Sequence, residues 1–260
     1  MRGLLLALVT LILSAPAFAS SPVFVAIVID DVGNSQALGE RAIALPGQVT
    51  YSVLPFTPFG PDLARRAHGA GKEVMLHEPM ANISGTSPGP GALTTELSHR
   101  EFVQQFEAAL NDIPFVSGVN NHEGSFLTQQ SLQMNWLMTE IRKRQLYFID
   151  SRTTPRTIAL RIARQNDVRS SRRNVFLDDV LTFYAIDHQF RELIRIAHED
   201  GTAIAIGHPH ALTLQYLAMA IPQLEAAGVH IIPASTLIAL QHYGRLQYAS
   251  EQTPGGSLRR

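Results

Sequence analysis

Eight short apolar runs separated by helical patterns constrain this chain more than any other feature. They are 23–29 (VFVAIVI), 49–54 (VTYSVL), 73–77 (EVMLH), 115–120 (FVSGVN), 146–151 (LYFIDS), 168–172 (VRSSR, the most polar), 202–208 (TAIAIGH) and 229–235 (VHIIPAS). Each suits a strand, and strands that alternate with helices build a mainly parallel sheet. The intervening helices have legible ends. Ser98 and Glu101 form a capping box before EFVQQFEAAL, where Phe102, Phe106, Ala109 and Leu110 recur at helical spacing. Thr154 before Pro155 predicts a helix start at PRTIALRIARQ. Gly201 and Gly228 stand where C-terminal glycines belong, and Pro222 predicts a kink or break in the helix before Gly228. Eight βα-like units predict an α/β fold, an irregular (β/α) barrel in a single domain, with an open doubly wound sheet as the alternative. GxGxxG and phosphate-loop motifs are absent, which argues against nucleotide-binding forms of that alternative.

The two ends read differently from the middle. Residues 1–19 (MRGLLLALVTLILSAPAFA) have a charged start, an apolar centre and an A-x-A end, so they predict a signal peptide cleaved after Ala19. The apolar run Leu4 to Leu13 is short for a membrane span, although an uncleaved anchor is the alternative. Export to the periplasm, or to the extracellular space, follows, with no integral membrane span after cleavage. The barrel domain is expected over 20–244, and the tail 245–260 (RLQYASEQTPGGSLRR) is expected to be poorly ordered. Residues 81–97, rich in Gly and Pro, are long enough for a lid or wall beside a substrate. The chain has no Cys, so an exported form is stable without disulfides. A formal net charge of -1 does not suggest nucleic acid or an anionic membrane surface as a partner.

The chemistry gathers at the C-terminal ends of the expected strands. The first ends in Asp30 and Asp31, the third in His77, and the fourth runs into Asn120, Asn121 and His122. The fifth gives Asp150 and Ser151, and the seventh gives His208 and His210. Parallel α/β folds place their ligand sites at that end. A lone Asp there can simply close a strand or cap a helix, and a lone His can be a hydrogen-bonded structural residue. Five strand ends carrying carboxylates or imidazoles favour a metal-centred site. Two adjacent carboxylates repel unless a cation compensates them. Imidazole and carboxylate without thiolate suit one divalent transition metal ion, zinc best, with cobalt, nickel, manganese and iron as alternatives. Two His and one Asp leave an open position, the pattern of a catalytic rather than a structural site.

The ordered motifs IDDVG, EVMLHEPM, GVNNHEGS, YFIDSRT, VFLDD and AIGHPH resemble the divergent polysaccharide deacetylases, an envelope branch of the metal-dependent carbohydrate esterases. The similarity runs over roughly residues 23 to 240. It implies Asp30 as general base and Asp31 and His77 as metal ligands. The family's usual His-x-x-x-His departs here, because Ala81 stands where the second His belongs. His122 is taken as its replacement. The resemblance also implies His208 as general acid and Asp150 as the carboxylate that orients a catalytic partner. Asn121, Arg152 and His210 are expected substrate contacts. The implied reaction is hydrolysis of the N-acetyl amide of a glycan. Asp30 deprotonates water, the metal stabilises the oxyanion, and protonated His208 serves the departing amine.

Other polar residues have plainer readings. Asp178 or Asp179 of VFLDD can cap the following helix, with a substrate contact as the functional reading, and Arg172 and Arg173 read as a solvated or salt-bridged pair. Trp136 sits at helical spacing with Leu132 and Glu140 and reads as core packing. Besides the deacetylase, a non-catalytic glycan- or protein-binding module on the same fold stays open. Metal-dependent hydrolysis of a phosphoester is disfavoured, because no phosphate clamp is evident.

Overall fold

The structure, a computed structural model, describes residues 22–252. The expected signal peptide (1–19) lies outside the described residues. Among those residues the strands are β1 (Val23–Val32), β2 (Thr50–Val53), β3 (Glu73–Met80), β4 (Val116–Glu123), β5 (Tyr147–Asp150), β6 (Ser170–Arg172), β7 (Val175–Phe176), β8 (Thr202–Gly207) and β9 (Val229–Ile231). The helices are α1 (Gln36–Ile43), α2 (Gly60–Gly69), α3 (His99–Asp112), α4 (Ser131–Lys143), α5 (Ala159–Gln165), α6 (Phe183–Asp200), α7 (Ala211–Ala226) and α8 (Ala234–Gln252).

All strand pairs are parallel, in the order β6-β5-β4-β3-β2-β1-β8-β7, with β9 beside the start of β1. This is the expected single-domain irregular (β/α) barrel, and it is open between β6 and β7. The link between these strands crosses the gap: Arg173 N–H donates to the Asp150 carbonyl on one side, and Asn174 N–H donates to the Ile204 carbonyl on the other.

Strand alternation divides the apolar residues into two layers. Val25, Ile27, Val74, Leu76, Val119 and Phe148 pack outward in the core beneath the helices. Ala26, Val28, Met75, Tyr147, Ile149, Ile204 and Ile206 form a smaller inner core with Ala234, Leu237 and Ile238 of α8. The start of α8 donates N–H bonds to Thr50 and Glu73, the first residues of β2 and β3. It therefore packs at the N-terminal end of the barrel, leaving the opposite mouth for polar residues.

The capping box at Ser98 and Glu101 is formed, and Phe102, Phe106 and Ala109 are buried. Gly201 and Gly228 both have φ of 78°. Four local expectations change. The two-residue β7 is an additional strand. The helix expected from Pro155 begins at Ala159, because Thr157 and the Leu160 N–H turn to the Asp150 carboxylate. Pro222 lies inside α7 without splitting it. The expected tail begins within α8, which runs to Gln252; residues 253–260 lie outside the described part. Among the described residues, no helix is long and apolar enough to cross a membrane.

Candidate metal centre

Alternation also decides which polar residues reach the mouth. On β1, Asp30 follows Ala26 and Val28 on the inner face. By the same rule Asp31 belongs outside. The β1–β2 register shifts between Ile29 and Val32, and Asp31 takes φ of 56°. This irregularity re-aims the second carboxylate, so adjacent residues serve one site. A left-handed Asp costs about 1–3 kcal/mol, and such strain concentrates at functional sites. Glu123 (φ 50°) and Arg152 (φ 52°) do the same at the ends of β4 and β5 and line the same cavity.

Three ligand atoms converge there. Asp31 Oδ1 lies 2.9 Å from His122 Nδ1 and 3.2 Å from His77 Nε2, and the two imidazole nitrogens are 3.1 Å apart. Ligands at about 2.0–2.1 Å in a tetrahedral zinc shell sit roughly 3.3 Å from one another, so this triangle fits one cation with little adjustment. Asp31 Oδ1 is buried and makes no well-aligned hydrogen bond, as expected of an oxygen reserved for a metal. Asp31, His77 and His122 are thus brought together as the sequence led one to expect.

Asn120 fixes His77. Its Nδ2 donates to Asp30 Oδ1 at 2.8 Å, so its Oδ1 must face the other way. There it accepts from Ser52 Oγ (2.6 Å) and from His77 Nδ1 (2.7 Å). The proton is thereby held on Nδ1, leaving Nε2 for a proton or a cation. Burial lowers the His77 pKa, but the charges of Asp30 and Asp31 outweigh it and raise the pKa above that of an ordinary imidazole. Burial also raises the Asp31 pKa, and the facing imidazoles of His122 and His77 reverse that, holding it below the usual range. The His77 shift reports a local demand for positive charge, and the Asp31 shift keeps its carboxylate ionised. Asp30 Oδ2 stays 3.6 Å from His77 Nε2, near the triangle but outside it.

His208 approaches from β8, with Nε2 4.0 Å from Asp31 Oδ2. Its Nδ1 donates to Asp178 Oδ1 at 2.9 Å, and its backbone N–H donates to Asp178 Oδ2 at 2.7 Å. Thr213 Oγ1 also donates to Asp178 Oδ2. Burial opposes the charged imidazole, but the Asp178 bond and the charges of Asp30, Asp178 and Asp31 raise its pKa to about 9. At neutral pH His208 can donate a proton. The cavity between these groups has a volume of about 420 Å³, within the range of small-ligand sites.

Of the remaining expected site residues, Asn121 and Arg152 line the cavity, and Asp150 and His210 do not. Asp150 has the outward parity of Phe148. Its carboxylate accepts from Arg152 N, Thr157 Oγ1 and Leu160 N, so it organises the entry to α5 and does not touch His208. Asp178 holds the imidazole instead, while Thr182, not the VFLDD pair, caps α6. Asn121 lines the cavity, but its amide binds Ser151 N–H and the Glu123 carbonyl, clamping β4 to β5. Arg152 lines the cavity. His210 is exposed at the N-cap of α7 and is not part of the cavity lining. Asp178, His208 and His210 form a second possible ligand group, but both Asp178 oxygens are already engaged. Trp136 packs against the core edge-on to Phe102.

Three residues have roles in the site that the sequence does not reveal. Asn120 orients His77 and Asp178 orients His208. Arg173 lines the cavity, donates to the Ser151 and Arg152 carbonyls, and lies over Phe176. The signal for Asp178 was present: VFLDD repeats the apolar-then-Asp-pair pattern of IVIDD.

Comparison with known proteins gives a consistent picture. The YibQ protein of Escherichia coli K12, described as uncharacterized, is 35% identical over 237 residues, covering 91% of this chain and 73% of that one. The crystal structure of an uncharacterized protein, ATU2773 of Agrobacterium tumefaciens C58, superposes with a TM-score of 0.81 at 24% identity, over 85% of this chain and 92% of that one. The peptidoglycan deacetylase PdaC of Bacillus subtilis shares the fold with a TM-score of 0.57 at 15% identity, over 91% of this chain and all of that one (100%). The family model for divergent polysaccharide deacetylases matches residues 27–238, and this chain belongs to that family.

Proposed function

We propose that this protein is an exported metal-dependent hydrolase that removes N-acetyl groups from an envelope or extracellular polysaccharide. One observation carries the reading: Asp31, His77 and His122 converge as a ligand set, with the carboxylate of Asp30 and the imidazole of His208 beside it. The signal-like residues 1–19 support export, with the periplasm as destination.

A divalent cation held by those three residues, zinc first, would supply polarisation of the acetyl carbonyl and acidification of water. Asp30 takes the proton of the attacking water, and its buried position keeps it aligned through Asn120. His208, held by Asp178, delivers a proton to the departing amine nitrogen. The products are acetate and a free amino sugar.

The test is elemental analysis of the mature protein beside acetate release from N-acetylated oligosaccharides. One metal ion per chain, with hydrolysis lost in Asp30→Asn while the metal stays, supports the reading. A wild type that neither carries nor takes up zinc overturns it. Ala81, standing in place of the usual second His, favours one other reading, a glycan-binding module. That reading requires binding without acetate release.

A further inference from the structure

Beside the catalytic cavity lies a second one of about 480 Å³ whose wall carries four arginines, Arg152, Arg161, Arg164 and Arg172. They come from three elements: Arg152 follows β5, Arg161 and Arg164 stand three residues apart on α5, and Arg172 ends β6. In a chain of net charge -1 this is a marked concentration of positive charge. Among the described residues, none of the four guanidinium groups is in an ion pair. Among the described residues the Arg161 guanidinium bonds only to the neutral Gln165 side chain. The acid in the lining, Asp150, uses its oxygens on Arg152 N, Thr157 Oγ1 and Leu160 N, not on a guanidinium.

Gathering like charges without partners gains the fold nothing. An oxyanion placed among them would be held by charge-assisted, fork-shaped hydrogen bonds, the geometry arginine favours for carboxylates and phosphates. Arg152 also lines the catalytic cavity, so the two spaces share a wall. Arg173, next to that wall, feels the field. Burial lowers its pKa, and the charge of Arg152 lowers it further.

We infer that the arginine-lined cavity is an anion subsite for a carboxylate- or phosphate-bearing sugar of the glycan whose N-acetyl group enters the metal centre. The inference rests on the deacetylase reading for its substrate and adds the chemical class of that substrate. An acidic glycan is favoured over a free anion or a lipid headgroup because Arg152 borders both cavities.

The experiment measures affinity by calorimetry for three N-acetylated oligosaccharides of matched length: neutral, uronic-acid-bearing and phosphorylated. Each is tested with the full protein and with Arg161→Ala/Arg164→Ala. Both substituted positions are exposed, and the melting temperature of the variant verifies its fold. The wild type should bind at least one acidic glycan about tenfold more tightly than the neutral one, as one well-placed charged hydrogen bond provides. That ratio should fall towards one in the variant and shrink at high salt. Which acidic glycan wins tells carboxylate from phosphate. A ratio near one in the wild type, an unchanged ratio in the variant, or no binding of an acidic glycan overturns the inference. Acetate release is scored separately: a preference for acidic glycan without any acetate release would sink the deacetylase reading and leave the subsite standing.

Discussion

Asp178 accepts two hydrogen bonds from His208, one from the ring Nδ1 and one from the backbone N–H, at 2.9 and 2.7 Å. A single carboxylate thus fixes the ring and its tautomer and, together with the charges of Asp30 and Asp31, raises its pKa. An acid catalyst is active below its pKa, and Asp178 raises that pKa. Asp178→Asn should therefore move the alkaline limb of kcat/KM to lower pH and reduce kcat about 10²–10⁴-fold. Metal content should not change, because Asp178 does not touch the ligand triangle. A pH–rate profile with the alkaline limb in its original place would show that Asp178 does not tune the acid.

Asn120 joins Asp30, Ser52 and His77 through one amide. Asn120→Leu would leave the Ser52 hydroxyl and His77 Nδ1–H buried without an acceptor, at a cost of about 1–3 kcal/mol. It should also release the His77 ring and weaken metal binding about 10–100-fold, as loss of an outer-shell partner does. Competition against a chromophoric chelator measures the affinity, and urea unfolding measures the stability. Unchanged affinity would mean that packing alone orients His77.

How far the sequence reveals this site depends on the period of each strand. The apolar runs and the polar residues that end them are visible, so Asp30, Asp31, His77, His122 and His208 can be placed at one mouth. Alternation separates Asp150 from that mouth, but its phase within a buried strand cannot be read, since both faces of YFID are apolar. The bulge at Asp31 breaks the alternation and has no sequence signature. The two-residue β7 is too short for a periodic signal, so Asp178 looked like a helix cap. The Asp pair of VFLDD is visible, but that Asp178 orients His208 becomes evident only when β7 and β8 lie side by side.

On the proposed function, removing the metal should destabilise the folded protein. A ligand that binds only the folded chain adds about 2.7 kcal/mol at 100 times its Kd. A strong chelator should therefore lower the melting temperature, and stoichiometric zinc should restore it. His77→Ala/His122→Ala should be insensitive to both additions and should lack the metal on elemental analysis. A chelator response retained in this variant would place the metal elsewhere.

Gly118 faces Tyr147 across the β4–β5 pair, one turn of the alternation below Asn120. A Cβ at Gly118 would lie 2.3 Å from the Tyr147 ring, well inside van der Waals contact. Tyr147 is 1% exposed within the inner core, so its ring cannot swing into solvent without opening the barrel. Gly118→Ala should therefore destabilise the protein by about 1–3 kcal/mol through overpacking. Truncating the ring in Gly118→Ala/Tyr147→Val relieves the clash, so the two substitutions together should cost less than the sum of their separate costs. Urea unfolding of the wild type, both single variants and the double variant gives the coupling. Additive costs would show that the strands shift to accept the methyl group, and that the glycine is not required by the ring opposite it.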